Sequence, residues 1–111
     1  MEQITSKVDE LISEIKQGDI YQNYIKALST ISENEELKAK VDALREKNFY
    51  FQREGNPESM FEESSRLEEE FQELRRQPIV NEYLDTELAL CKMLRRIGMR
   101  INTEMEIHLP I

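Results

Sequence analysis

The sequence predicts an all-α fold: an elongated bundle of about five helices, the last of them long, assembled as a homodimer. Three observations carry this. Only three glycines and three prolines interrupt 111 residues, and there is no tryptophan. Apolar residues recur at helical spacing along nearly the whole chain. The longest such run, from Ile79 to about Met105, has no internal proline and spans roughly 40 Å as a helix. At this length one domain is expected, over 1–111, with 106–111 as an extended tail. Hydrophobic residues make up 39% and charged residues 34%, so the apolar positions form narrow stripes. A thin core of that kind favours association with a second chain.

The first helix is expected over Glu2 to Gln17, where Ile4, Val8, Leu11 and Ile15 step by four, three and four. Gly18 then offers a left-handed stop. Asp19 with Gln22 reads as a capping box for the second helix, which carries Ile20, Tyr24, Ala27 and Ile31 on one side. Ser32 with Glu35 reads as another capping box. A break belongs here, because the seam continued in phase from Ile31 would fall on Asn34 and Lys38. The next apolar residues are instead Leu37, Val41 and Leu44.

The third helix is expected from about Glu35 to Arg53, with Asn48 and Phe51 extending its seam. Gly55 stops it, Asn56 caps the next, and Pro57 opens the fourth helix. That helix places Met60, Leu67, Phe71 and Leu74 on its seam. Arg75, Arg76 and Gln77 lead into Pro78, which suits a first helical turn because its missing N–H is not needed there. So short a connection predicts antiparallel packing of the fourth and fifth helices. The fifth carries Val80, Leu84, Leu88, Cys91 and Leu94, continued by Ile97 and Ile101.

A net charge of −8 disfavours direct nucleic-acid binding and adsorption to anionic membranes. The N-terminal stretch is broken by Glu2, Lys7, Asp9, Glu10, Glu14 and Lys16, so it does not read as a signal peptide. No run reaches transmembrane length. A single cysteine suits the reducing cytoplasm.

No phosphate loop, GxSxG, HExxH or CxxC pattern is present, and the chain reads as a non-enzyme. Cys91 and His108 lie far apart in sequence, and His108 reads as a solvated tail residue. Cys91 sits in the apolar stripe, where a free cysteine usually packs as a small hydrophobe. Glu87 falls in the same stripe. It is either paired, with an arginine of another helix or chain or with the Tyr83 hydroxyl, or it reaches out at the stripe's edge. Asn48 is a polar residue in a seam: a partner-selecting contact across helices, or a local hydrogen bond at a fraying end. Phe49, Tyr50 and Phe51 are consecutive, so they cannot all face one core. At least one of Phe49 and Tyr50 should be exposed as an interface residue, the alternative being burial under the 54–57 loop. Lys92, Arg96 and Arg100, with Arg95, form a basic stripe that reads as complement to the helix dipole, or as a docking patch. The glutamates of the fourth helix read as a solvated face.

The stretch QPIVNEYLDTELALCKMLRRI resembles the C-terminal signature of the YlbF/YmcA family of small bacterial regulatory proteins. ENEELKAKVDALREKNFYFQ is similar to that family's middle helix, and the likeness runs from about Val8 to Met105. The resemblance implies a non-enzymatic adaptor. Its partners would be sibling family proteins and the endoribonuclease RNase Y, and through mRNA processing it would affect competence, sporulation and biofilm formation. It also raises an iron–sulfur cluster held by cysteines, to which this chain offers Cys91 alone and a homodimer offers two thiols. On those grounds no cofactor is expected. The alternative function is a small metal- or ligand-binding dimer with an interhelical site around Glu87 and Cys91.

Overall fold

The structure, a computed structural model, describes residues 1–55 and 57–106. Five helices follow one another: α1 Glu2–Gln17, α2 Asp19–Ser32, α3 Glu35–Glu54, α4 Met60–Arg75 and α5 Pro78–Glu104. No strand occurs among the described residues. The expected capping by Asn56 and the expectations for His108 and the 107–111 tail fall outside the described residues.

Two compact units are present. Unit 1 comprises Met1–Lys26 with Leu84–Ile111, and unit 2 comprises Ala27–Tyr83. Helices α2 and α5 each contribute to both.

Unit 2 holds the core. Ile31 from α2, Val41 from α3 and Val80 from α5 are fully buried, and Ala27, Leu37, Leu44, Leu67 and Tyr83 are nearly so. Leu37, Val41 and Leu44 are the apolar positions that the seam of α3 predicts, and four-three spacing puts them on one face. The break between α2 and α3 lies where the loss of seam phase places it. Its cap differs from expectation. Asn34, not Ser32, caps α3, its side-chain oxygen accepting the Leu37 N–H at 3.1 Å. Both residue types cap well; Asn34 stands directly before the first helical residue.

At the far end of α3, Gly55 is extended rather than left-handed. A Cβ there would lie 2.5 Å from the Phe51 carbonyl oxygen, so close approach is what asks for glycine. Pro57 lies in a turn, and α4 begins three residues later than predicted, at Met60. Ser59 precedes it, and its hydroxyl donates to Glu63 at 3.3 Å. The main neighbour of α4 is α3, not α5 as the short connection suggested. Leu67, the buried residue of α4, shares a cavity wall with Phe51 of α3. Across the same pair, Lys47 meets Glu70 at 3.5 Å. The link to α5 is held by Arg75, which donates to the Asn81 side-chain oxygen at 2.6 Å. Pro78 is the first residue of α5, as predicted.

Unit 1 is different in kind. Helix α1 has the predicted bounds and seam but buries none of its residues. Gly18 is extended, with φ −81°, which corrects the left-handed stop. A single residue separates the two helices here, and the chain enters α2 at once. Asp19 is already helical, and Gln22 donates to the Lys16 carbonyl at 2.6 Å instead of closing a capping box. In α5 beyond the buried Leu84, the stripe residues Leu88, Leu94 and Ile101 are exposed. No helix among the described residues is long and apolar enough to cross a membrane.

Candidate functional site

The surface that best fits an interaction site lies at the C-terminal end of α3 in unit 2. Three aromatic residues in succession span about 200° of a helix, so the core can take one of them. It takes Phe51, which is half-buried, and leaves Phe49 and Tyr50 55% and 53% exposed. The exposure predicted for one of them holds for both. The two rings meet edge to face with centroids 6.0 Å apart. One turn on, the Arg53 guanidinium stands 5.4 Å from the Phe49 ring centroid, within cation–π range. Asn48 is half-buried beside them.

Tyr50 and Phe51 also line an open cavity of about 430 Å³ between the end of α3 and the start of α4, where Leu67 forms an apolar wall and Lys47, Glu63 and Arg66 supply charge. At the start of α4, Met60 and Phe61 are exposed as well. This end of unit 2 therefore presents exposed aromatic groups next to a concavity bordered by charges of both signs. The composition is that of a protein-binding surface, where aromatic anchors combine with a polar rim.

Tyr83 does not belong to such a surface. It is 3% exposed and takes part in the core of unit 2. Its hydroxyl accepts a hydrogen bond from Arg45 Nη1 at 3.3 Å. Lys38 and Arg45 flank its ring, with Nζ 5.7 Å and the guanidinium carbon 6.0 Å from the centroid. Lys38 also donates to Asp42 at 2.6 Å, and chiefly that hydrogen bond raises the Lys38 pKa above its ordinary value. Sequence reasoning missed Lys38 and Arg45. Their one signal is a seven-residue separation on α3, which puts two cations on the same side of the helix.

Glu87 is half-buried and already partnered. Cys91 is exposed, not packed in a core: among the described residues, none buries it. Among the described residues no three of His, Cys, Asp and Glu stand close enough together to hold a metal ion. A cubane cluster takes four thiolates, and a chain with one cysteine does not fit that donor set.

A family model described as control of competence regulator ComK, YlbF/YmcA, matches residues 4–106. No curated protein and no solved structure matches the chain. The family match begins two residues into α1 and covers the whole of α2 to α5, including the aromatic end of α3. The chain belongs to the YlbF/YmcA family.

Proposed function

We propose that this chain is a non-enzymatic regulatory adaptor of the cytoplasm that works by docking on other proteins. The observation that carries the reading is the exposed, edge-to-face Phe49–Tyr50 pair beside the α3–α4 cavity. Aromatic side chains are the commonest energetic anchors of protein interfaces, and here they are not consumed by the core. The net charge of −8 supports a protein partner over a phosphate backbone. The partners proposed are sibling family proteins, the endoribonuclease RNase Y, and a second copy of the chain. Through them the chain would influence mRNA processing, and thereby competence, sporulation or biofilm formation. The family description, which concerns control of a competence regulator, supports that direction.

Affinity capture of the full chain from its native cytoplasm, read by mass spectrometry, tests the proposal. Sibling family proteins or the endoribonuclease are expected in the capture, and their recovery should fall when Phe49 and Tyr50 are both replaced by Ser. Recovery of the chain with no partner but itself would overturn the adaptor role.

A further inference from the structure

Two concavities lie end to end between α3 and α4, both within unit 2. One is the cavity beside Tyr50 and Phe51. The other, of about 420 Å³, lies nearer the start of α3 and has Ala43, Leu44 and Leu74 as its apolar walls. Lys47 borders both. On α3 the lining runs through Lys40, Leu44, Lys47, Phe51 and Glu54, in steps of four, three, four and three. On α4 it runs through Glu63, Leu67, Glu70 and Leu74, in steps of four, three and four. Such spacing keeps each set on one face of its helix. The two concavities therefore form one groove, roughly 20 Å long at 1.5 Å per residue. Lys38 and Arg45, which flank Tyr83, fall on the opposite side of α3, so the groove opens away from the core contact with α5.

The dimensions of the groove select a helix. Leu44 and Phe51, one in each concavity, stand seven residues apart, or about 10 Å along α3. Side chains at i and i+7 of a second helix have the same separation and point the same way. Same-face residues of an extended strand fall at about 7 Å and about 13 Å and miss that spacing.

The rims select the charges of that helix. Beside the second concavity, α3 contributes Lys40 and Lys47, whereas α4 contributes Glu70 and Glu73. Lys47 meets Glu70 across the groove, and Lys40 and Glu73 pair with Glu36 and Arg76 on their own helices. These pairs are solvent-exposed and therefore weak, so the same groups can turn to charges on an incoming helix. A cationic rim facing an anionic one suits a helix that is acidic along one flank and basic along the other. On the α4 side it repels a phosphate backbone.

We propose that this groove binds an amphipathic α-helix of another protein. Two apolar side chains a heptad apart fill the concavities. The helix lays its acidic flank along α3 and its basic flank along α4. This rests on the docking role proposed above and names the chemistry of the partner.

Fluorescence anisotropy tests it, with labelled, hydrocarbon-stapled helical peptides titrated with the full chain at physiological ionic strength. All the peptides carry leucines at i and i+7. They differ in their flanks: Glu on one and Lys on the other, Glu on both, or Lys on both. The mixed peptide is expected to bind at least about tenfold tighter than the other two, since each of those sets like charges against one rim. Lys40→Glu with Lys47→Glu should make the all-Lys peptide the tightest. Glu70→Lys with Glu73→Lys should do the same for the all-Glu peptide. Ala43 is exposed, and Ala43→Trp should weaken the mixed peptide by about tenfold by filling a concavity, with helicity checked by circular dichroism. The rim variants decide the matter even if Ala43→Trp does not fold. No binding of any peptide overturns the helix proposal and leaves the aromatic pair to be judged by the capture experiment. Tightest binding of the all-Lys peptide to the wild-type chain also overturns it, because that would report only the net charge of −8. So does a change of mass in light scattering by the groove variants with no peptide bound, since the occupant would then be a second copy of this chain.

Discussion

Arg45 donates to the Tyr83 hydroxyl at 3.3 Å and joins α3 to the front of α5 across 38 residues of sequence. Tyr83 is thus a core residue with a polar tip that is satisfied inside unit 2. Tyr83→Phe should cost about 1 kcal/mol, the net worth of one such hydrogen bond. Tyr83→Ala should cost about 3–5 kcal/mol, since it also empties an aromatic site in the core. Urea denaturation followed by circular dichroism measures both. Equal effects would show that the ring's packing contributes little.

Asn34 should be worth about 1 kcal/mol as the cap of α3, and Asn34→Ala tests this by the same denaturation. Ser32→Ala, two residues earlier, should change stability by less than about 0.5 kcal/mol, because Ser32 is exposed and does not cap the helix. The reverse ranking would place the cap at Ser32.

Lys38 gives a pH dependence of defined sign. Its folded-state pKa is raised above the ordinary 10.5, first by the hydrogen bond to Asp42. The stabilisation is therefore fully present below pH 10.5 and is lost as pH rises through the higher folded-state value. Asp42→Asn removes the main cause. The difference in stability between wild type and Asp42→Asn should be constant between about pH 7 and about pH 10 and shrink above it. A difference that grows in alkali would contradict the assignment.

Phe49→Ser with Tyr50→Ser should leave the unfolding free energy within about 1 kcal/mol of wild type, each exposed site contributing within about 0.5 kcal/mol. Ile31→Ala, in the fully buried centre of unit 2, should cost about 2–5 kcal/mol. Thermal melts compare the two. A large loss from the aromatic pair would show that these rings hold the fold and do not await a partner.

Helix existence and order were legible because apolar spacing is a strong local signal, and Pro78 and the phase slip after Ile31 fixed two boundaries. Caps were less legible. Ser32 and Asn34 are equally good capping residues two positions apart, and periodicity does not choose between them. Gly18 and Gly55 announce helix ends, but neither is left-handed: one is confined by the short link to α2, the other by the Phe51 carbonyl. At the site, three aromatics in a row revealed the exposed pair without any tertiary information. The pairing of Arg45 with Tyr83 could not be read, because it depends on how α3 meets α5. Cys91 was misjudged for a related reason. A stripe shows which face of a helix is apolar and is silent on whether this chain or another covers it.

The bracing of Phe49 by Tyr50 and Arg53 has a kinetic consequence. A ring already held by an edge contact and a cation gives up little rotamer freedom when another protein closes over it, so less ordering entropy opposes binding. Such preorganisation leaves the encounter rate almost unchanged and lengthens the lifetime of the complex. Loosening the brace, as in Arg53→Ala, should therefore shorten residence time more than it slows capture.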